Sequence, residues 1–190
     1  DAVLIVTSTS THFDYFSKCV GKVKNIFVEK PLATTYEDAC LMEELACKHQ
    51  TFVQCGFIER FNPVVSALKN VLSEREVINM DFTRTNRLSS RISDVDVVLD
   101  LMIHDLDLAL FFNGPVKNVV AYGKNENDLI AFASVILEHT SGALSRVLAS
   151  RMTEKKMRNI QVTTNDSLID VELVRKELIL HKQSSISQQE

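Results

Sequence analysis

The hydrophobic pattern of the chain changes period near residue 58, and no other feature restricts the fold as much. Upstream, compact apolar runs at Val3 to Val6, Asn25 to Val28 and Thr51 to Phe57 alternate with helix-like stretches. Short continuous runs of this kind read as buried strands, and strands alternating with helices build a parallel sheet. Downstream, Ile78, Met80 and Phe82 alternate with Asn79, Asp81 and Thr83, the period of a half-buried strand. Further strand-like runs follow at Val116 to Tyr122, Ile130 to Leu137, Ala143 to Ala149, Asn159 to Thr163, Ser167 to Glu172 and Leu178 to His181. Turn residues at Ser141-Gly142 and Asn165-Asp166 separate several of them, as antiparallel hairpins require.

Three helices are signalled between and within these regions. Thr34-x-x-Glu37 reads as a capping box, with Leu41 and Leu45 one turn apart on a packing face. Asn62-Pro63 reads as an N-cap with proline in the first turn, opening a helix to about Leu72. Val97 to Phe112 is the longest helical candidate, stopped by Asn113-Gly114-Pro115. Gln183 to Glu190 is a Ser/Gln-rich tail without apolar period.

Composition narrows the class of protein. A hydrophobic content of 45% over 190 residues supports a packed core. With a net charge of −4 and 21 scattered Lys and Arg, nucleic acid is not an expected partner. No apolar stretch approaches the ~20 residues of a membrane span, and the start shows no export signal, so a cytoplasmic protein without membrane contact is expected. The four cysteines form no Cys-x-x-Cys pair; reduced thiols, and no metal, are expected.

The residues with chemical potential fall in three places. Asp100, His104 and Asp107 are spaced by four and three, which puts them on one helix face, with Asp105 a quarter-turn away. An acid one turn before a histidine orients the ring and favours its charged form, so His104 can accept a proton; the same spacing also suits the polar edge of an ordinary amphipathic helix. Lys30 follows an apolar run and precedes Pro31, at the carboxyl end of an expected parallel strand, where open α/β sheets bind ligands. There a lysine can stabilise negative charge on a reacting oxygen, or form only a surface pair with Glu29. The hydroxyls of Thr7-Ser8-Thr9-Ser10-Thr11-His12 can line a nicotinamide ribose or start a helix. Arg60 suits a phosphate or carboxylate, Asn62 an N-cap or a ligand, and Arg84, Arg87 and Arg91 an anionic substrate or a solvated basic loop.

Taken in order, Thr9-Ser10-Thr11-His12, Val28-Glu29-Lys30-Pro31-Leu32 and Asp100-x-x-x-His104-Asp105 resemble the Gfo/Idh/MocA family of NAD(P)-dependent oxidoreductases, over residues 1 to about 181. Gly56-Phe57-x-Glu59-Arg60-Phe61-Asn62-Pro63 and Ala149-Ser150-Arg151-x-Thr153 look closest to members that oxidise the 3-hydroxyl of UDP-N-acetylglucosamine or a related sugar nucleotide. The resemblance implies an α/β fold: an incomplete Rossmann-type parallel portion over 1–57, then an α/β domain with a large mostly antiparallel sheet over 58–182, then the tail. It implies Lys30, Asp100 and His104 as catalytic residues, and Thr7, Ser8, Thr9, His12, Glu29 and Lys30 as contacts to NAD or NADP. Arg60, Asn62, Arg84, Arg91 and Asp105 are implied to meet a sugar or sugar-nucleotide substrate, and the antiparallel sheet is implied to form a homo-oligomer. A non-catalytic dimerisation or ligand-binding module derived from the family is the alternative.

The chain departs from the family where the family begins, with a strand, a glycine-rich turn and further βα units, on the order of sixty residues. The family also continues into a helical segment after the last strand, and commonly places proline where Ser8 stands. The expectation is a fragment of a larger enzyme or a truncated relative, with weak cofactor binding by these residues alone.

Overall fold

The computed structural model describes residues 1–87 and 95–183, in two compact units, Asp1–Ile58 and Glu59–Glu190. The first is a parallel sheet in which β1 (Ala2–Ile5), β2 (Asn25–Val28) and β3 (Phe52–Cys55) lie in sequence order. Ile5 is in register with Val28, and Val28 with Cys55. Helices α1 (His12–Cys19) and α2 (Tyr36–Lys48) bury one face of this sheet, with Phe16 and Met42 packed on Ile5, Ile26 and Val28. The opposite face carries Leu4 and Phe52, 67% and 64% exposed, so within the unit these strands are covered on one side only.

Two local readings are corrected in α2. The capping oxygen is that of Thr35, which accepts from the Asp38 N–H at 3.1 Å, one residue later than the expected box. The packing stripe also differs in part: Met42 and Ala46 are buried and Leu45 packs half-buried against the same core, whereas Leu41 is 42% exposed.

In the second unit α3 (Pro63–Leu72) starts as expected, with Asn62 Oδ1 accepting from the Val64 N–H at 3.3 Å and Pro63 in the first turn. Seven strands follow: β4 (Val77–Thr85), β5 (Val116–Glu126), β6 (Leu129–His139), β7 (Leu144–Ser150), β8 (Met157–Thr164), β9 (Ser167–Glu172) and β10 (Glu177–Lys182). They form one sheet in the order β10-β9-β8-β4-β7-β6-β5. The hairpin runs β5-β6-β7 and β8-β9-β10 are antiparallel, and β4 joins them, antiparallel to β8 and parallel to β7. Alternate residues point inward, among them Met80, Phe82, Ala133, Val135, Val147, Ile160 and Val162, against Val64, Val65 and Leu68 of α3 and the helical segment from Val98 to Asn113. Ile78 breaks the alternation. A register shift between Val77 and Asn79 turns it outward, where it is 50% exposed.

The long helix expected from Val97 to Phe112 is two pieces, a π-turn at Val98–Met102 and then α4 (Ile103–Asn113). Asp96 Oδ1 caps the start, accepting from the N–H groups of Val98 and Leu99, both at 2.9 Å. No helix among the described residues is long and apolar enough to cross a membrane, and none of the four cysteines is in a disulfide.

The two packing stripes of α2 make different predictions. Met42→Ala should cost about 2–5 kcal/mol, a buried-methionine truncation. Leu41→Ala should cost less than about 1 kcal/mol. Urea unfolding of both variants decides the matter, and equal losses would mean the helix is rotated from the orientation described.

Candidate active site

In the first unit the conspicuous chemistry lies beyond the carboxyl ends of β1 and β2. The Glu29 N–H donates to Ile5 O at 2.9 Å, extending the ladder past the strands, and the Lys30 N–H donates to Glu29 Oε2 at 3.0 Å. Gly56 makes room for that carboxylate: a Cβ there would stand 2.9 Å from Glu29 Oε2 and 3.1 Å from the Phe27 ring. Glu29 therefore shapes the Lys30 loop from within.

Beside this loop, Thr7 and Ser8 are exposed and Thr9 is half-buried. The Thr11 hydroxyl lies 2.9 Å from Thr7 Oγ1 and 2.8 Å from Ser8 O, which holds the turn. His12 is placed differently from the cofactor contact expected of it. It is 1% exposed, with Nδ1 3.0 Å from Pro31 O and Nε2 3.0 Å from Thr7 O, so it braces the two loops from below. The exposed hydroxyls and Lys30 suit the nicotinamide end of a dinucleotide. No Gly-x-Gly-x-x-Gly phosphate turn occurs in the 190 residues.

In the second unit an arginine meets each carboxylate of the helical segment around His104. Arg84 holds Asp105 bidentately, Nε to Oδ2 at 2.8 Å and Nη2 to Oδ1 at 2.7 Å, while its Nη1 donates to Glu59 Oε1 at 3.0 Å. Arg60 holds Asp107 through Nε at 2.8 Å and Nη2 at 2.5 Å, with its guanidinium 5.2 Å above the Phe111 ring. Arg151 donates from Nη2 to Asp100 Oδ2 at 2.7 Å and from Nη1 to Val95 O. His104 itself is half-buried, one residue into α4.

Burial decides what these groups are for. The Arg84 and Asp105 side chains are 2% and 3% exposed, so the expectation that they face a substrate is corrected: they are consumed by each other and by Glu59 beneath the surface. Burial opposes charge on Arg84, but the bonds and charges of Asp105 and Glu59 outweigh it and raise the guanidinium further above its ordinary value. Burial pushes the Asp105 carboxyl up, with Arg84 pulling against it. On Glu59 burial also pushes upward, yet Arg84, the Asn62 amide and Arg158 together hold the carboxyl below its ordinary value.

Asn62 is likewise occupied, since besides capping α3 its amide donates to Leu173 O at 3.1 Å and to Glu59 Oε2 at 3.3 Å. Of the expected substrate contacts, Arg60 reaches the surface, its side chain 41% exposed. Arg91 lies outside the described residues, and Arg87 pairs with Glu154 in solvent. Glu59, Asp96 and Arg151 join the site without being among the residues expected there. For Arg151 a signal existed, because it stands two residues past Ala149 on the inward-facing alternation of β7.

Comparison with known proteins gives matches over most of the chain. Residues 1–57 match the oxidoreductase family's NAD-binding Rossmann fold, and residues 75–168 match the Gfo/Idh/MocA C-terminal domain. UDP-N-acetylglucosamine 3-dehydrogenase of Acidithiobacillus ferrooxidans is 28% identical over 183 residues, 95% of this chain and 58% of the relative. A solved structure of that enzyme superposes with a TM-score of 0.89, covering 96% of this chain and 61% of the other. The scyllo-inositol 2-dehydrogenase (NAD(+)) of Bacillus subtilis is 31% identical over 166 residues, 80% of this chain and 48% of the relative. The WlbA dehydrogenase of Chromobacterium violaceum, solved with NADH and UDP-GlcNAcA, shares the fold at a TM-score of 0.86 and 20% identity, covering 98% of this chain and 60% of that one. The chain thus spans about half to three fifths of the relatives it matches.

The assignment of Arg84 to the interior has a direct consequence. Arg84→Met leaves Asp105 buried without its cation and Glu59 with Arg158 alone, and should cost about 3–5 kcal/mol in denaturant unfolding. A variant as stable as the parent would return Arg84 to the surface and to substrate binding.

Proposed function

Because the chain belongs to the Gfo/Idh/MocA oxidoreductases, we propose that this protein oxidises a hydroxyl of a sugar or sugar nucleotide, with NAD or NADP as the hydride acceptor. The observation that carries the reading is the half-buried His104 one turn past Asp100, on a segment whose carboxylates are each held by an arginine. A base kept in one place by fixed neighbours is what proton removal from a carbinol requires.

In this reading His104 takes the hydroxyl proton and Asp100 orients the ring. Lys30, with its ammonium group, is suited to donate to a reacting oxygen and to stabilise negative charge that develops there. Thr7, Ser8 and Thr9, beside the Lys30 loop that Glu29 shapes, would hold the nicotinamide-ribose end of the cofactor, whose ring supplies the hydride-accepting carbon when bound. Arg60, at the surface, is assigned to the anionic part of the substrate. A UDP-sugar suits that cation, and a UDP-sugar dehydrogenase is among the relatives.

We further propose that the outer face of the seven-stranded sheet meets a second copy of the chain. Phe132, Ile136, Val120, Tyr122, Leu144 and Leu148 share that face over β5, β6 and β7 by register, and Tyr122, Ile136 and Val120 are 71%, 44% and 42% exposed. Helices cover the inner face alone. The four unbridged thiols suit the reducing cytoplasm.

His104→Ala should lower turnover by roughly 10²–10⁴-fold with little change in substrate binding. Lys30→Ala should be comparably severe. If both residues serve only the fold, turnover per folded molecule survives and any loss tracks the unfolding midpoint; single-turnover hydride transfer measured beside that midpoint separates the cases. Light scattering should give at least a dimer at micromolar concentration, and Tyr122→Lys with Ile136→Lys should yield monomers; a stable parental monomer would remove the sheet face from the proposal.

A further inference from the structure

Arg151 has no role in the mechanism above, and its placement is too specific for a surface cation. Its side chain is 5% exposed and its backbone N–H donates to Ala131 O at 2.9 Å, continuing the ladder of β7 past the strand's end. From there the guanidinium divides between two acceptors. Nη1 donates to the carbonyl of Val95, just before the capped start of the helical segment, and Nη2 donates to Asp100 Oδ2 at 2.7 Å within the π-turn. A planar fork with donors at fixed angles can hold both at once, which a lysine ammonium on a flexible stem does less well. One side chain of the sheet thus fixes the height of the helix start and the direction of Asp100.

The π-turn makes this hold consequential. A turn with i→i+5 bonds is a rare local widening, and it needs neighbours to keep it from relaxing to the α form. Asp100 sits in its middle, and His104 follows directly after the return to α geometry. The register of His104 against the sheet therefore depends on Asp100 staying where Arg151 holds it. The pair also sets a cation against Asp100, 18% exposed, one turn from His104.

We propose that Arg151 is a positioning residue for the oxidation, acting through Asp100 on His104 without touching substrate. The inference rests on the reading that Asp100 and His104 serve the reacting carbinol. Arg151→Met should slow single-turnover hydride transfer by about 10–100-fold, the scale of a displaced catalytic group. The KM for the sugar should move less than about threefold, because a ground-state contact is not lost. Arg151→Lys should recover part of the rate, by restoring charge without the fork.

The decisive measurement is a double-mutant cycle. If Arg151 acts through Asp100, Arg151→Met in an Asp100→Asn background should slow transfer no further than Asp100→Asn alone. Multiplying losses, or a parental rate in Arg151→Met at equal folded fraction, overturns the proposal. The same cycle is read without turnover from the His104 ring resonances of the 190-residue chain, assigned by their loss in His104→Gln. Arg151→Met should shift them in the parent and leave them unmoved in the Asp100→Asn background. Coupled resonances in a protein that transfers no hydride from any sugar would sink the dehydrogenase reading alone; uncoupled resonances sink the role of Arg151.

Discussion

The arrangement of the second unit depends on three arginine–carboxylate pairs that fasten one helical segment from three sides. Asp100 is held from the end of β7, Asp105 from β4 and Asp107 from the turn before α3. The apolar contacts of that segment, through Leu101, Met102, Leu108 and Ala109, stabilise it without choosing one register sharply, since burial is non-directional. Each bidentate or forked pair is satisfied in one register only, and a slip would strand a buried charge. Net stability gained from such pairs is small, because desolvation offsets most of the attraction. Their contribution is placement, and the residue placed among them is His104.

The single parallel pairing of the larger sheet explains how two of those arginines come to work side by side. β4 and β7 run together with Phe82 beside Val147 and Arg84 beside Ala149, so Arg84 and Arg151 emerge at the same, carboxyl end. In an all-antiparallel sheet the neighbouring strand would end at the opposite edge. The first unit uses the same geometry, with Thr7 beyond β1 and Lys30 beyond β2, adjacent and parallel. Carboxyl ends of parallel strands gather residues that belong to different segments of sequence, which is why open α/β sheets bind ligands there.

Much of this was legible in the residues, and the parts that were not have identifiable causes. Continuous apolar runs marked the three strands of the first sheet, and strand-like runs marked the seven of the second, in β4 with strict alternation. It failed at Ile78, where an irregular register turned an apolar side chain outward. The same period extends to Arg84. Met80, Phe82 and Arg84 are one inward-facing series, and a charge in that position announces a buried partner rather than a basic loop. Asp105 could not be paired with it by local rules, because the partners are 21 residues apart and no spacing rule connects a strand to a later helix. The π-turn was equally hidden. Its residues Val98–Met102 carry no glycine or proline to mark a widened turn, and the partner that holds Asp100 within it stands 51 residues away.

The two sets of candidate catalytic residues are supported in different ways. Around His104 the supports are ionic and, apart from the exposed Arg60 guanidinium, buried, so their removal strands charge and threatens the fold along with the site. Around Lys30 they are neutral or backbone contacts: His12 on the carbonyls of Pro31 and Thr7, and the Glu29 carboxylate on the Lys30 N–H in the space Gly56 leaves. Hydrogen bonds to its own backbone thus fix the path of the loop that carries Lys30. A base that must receive one proton at one point gains from a rigid mount. The two proposed roles are therefore mounted differently, Lys30 on a loop fixed through its backbone and His104 on a helix clamped by ion pairs.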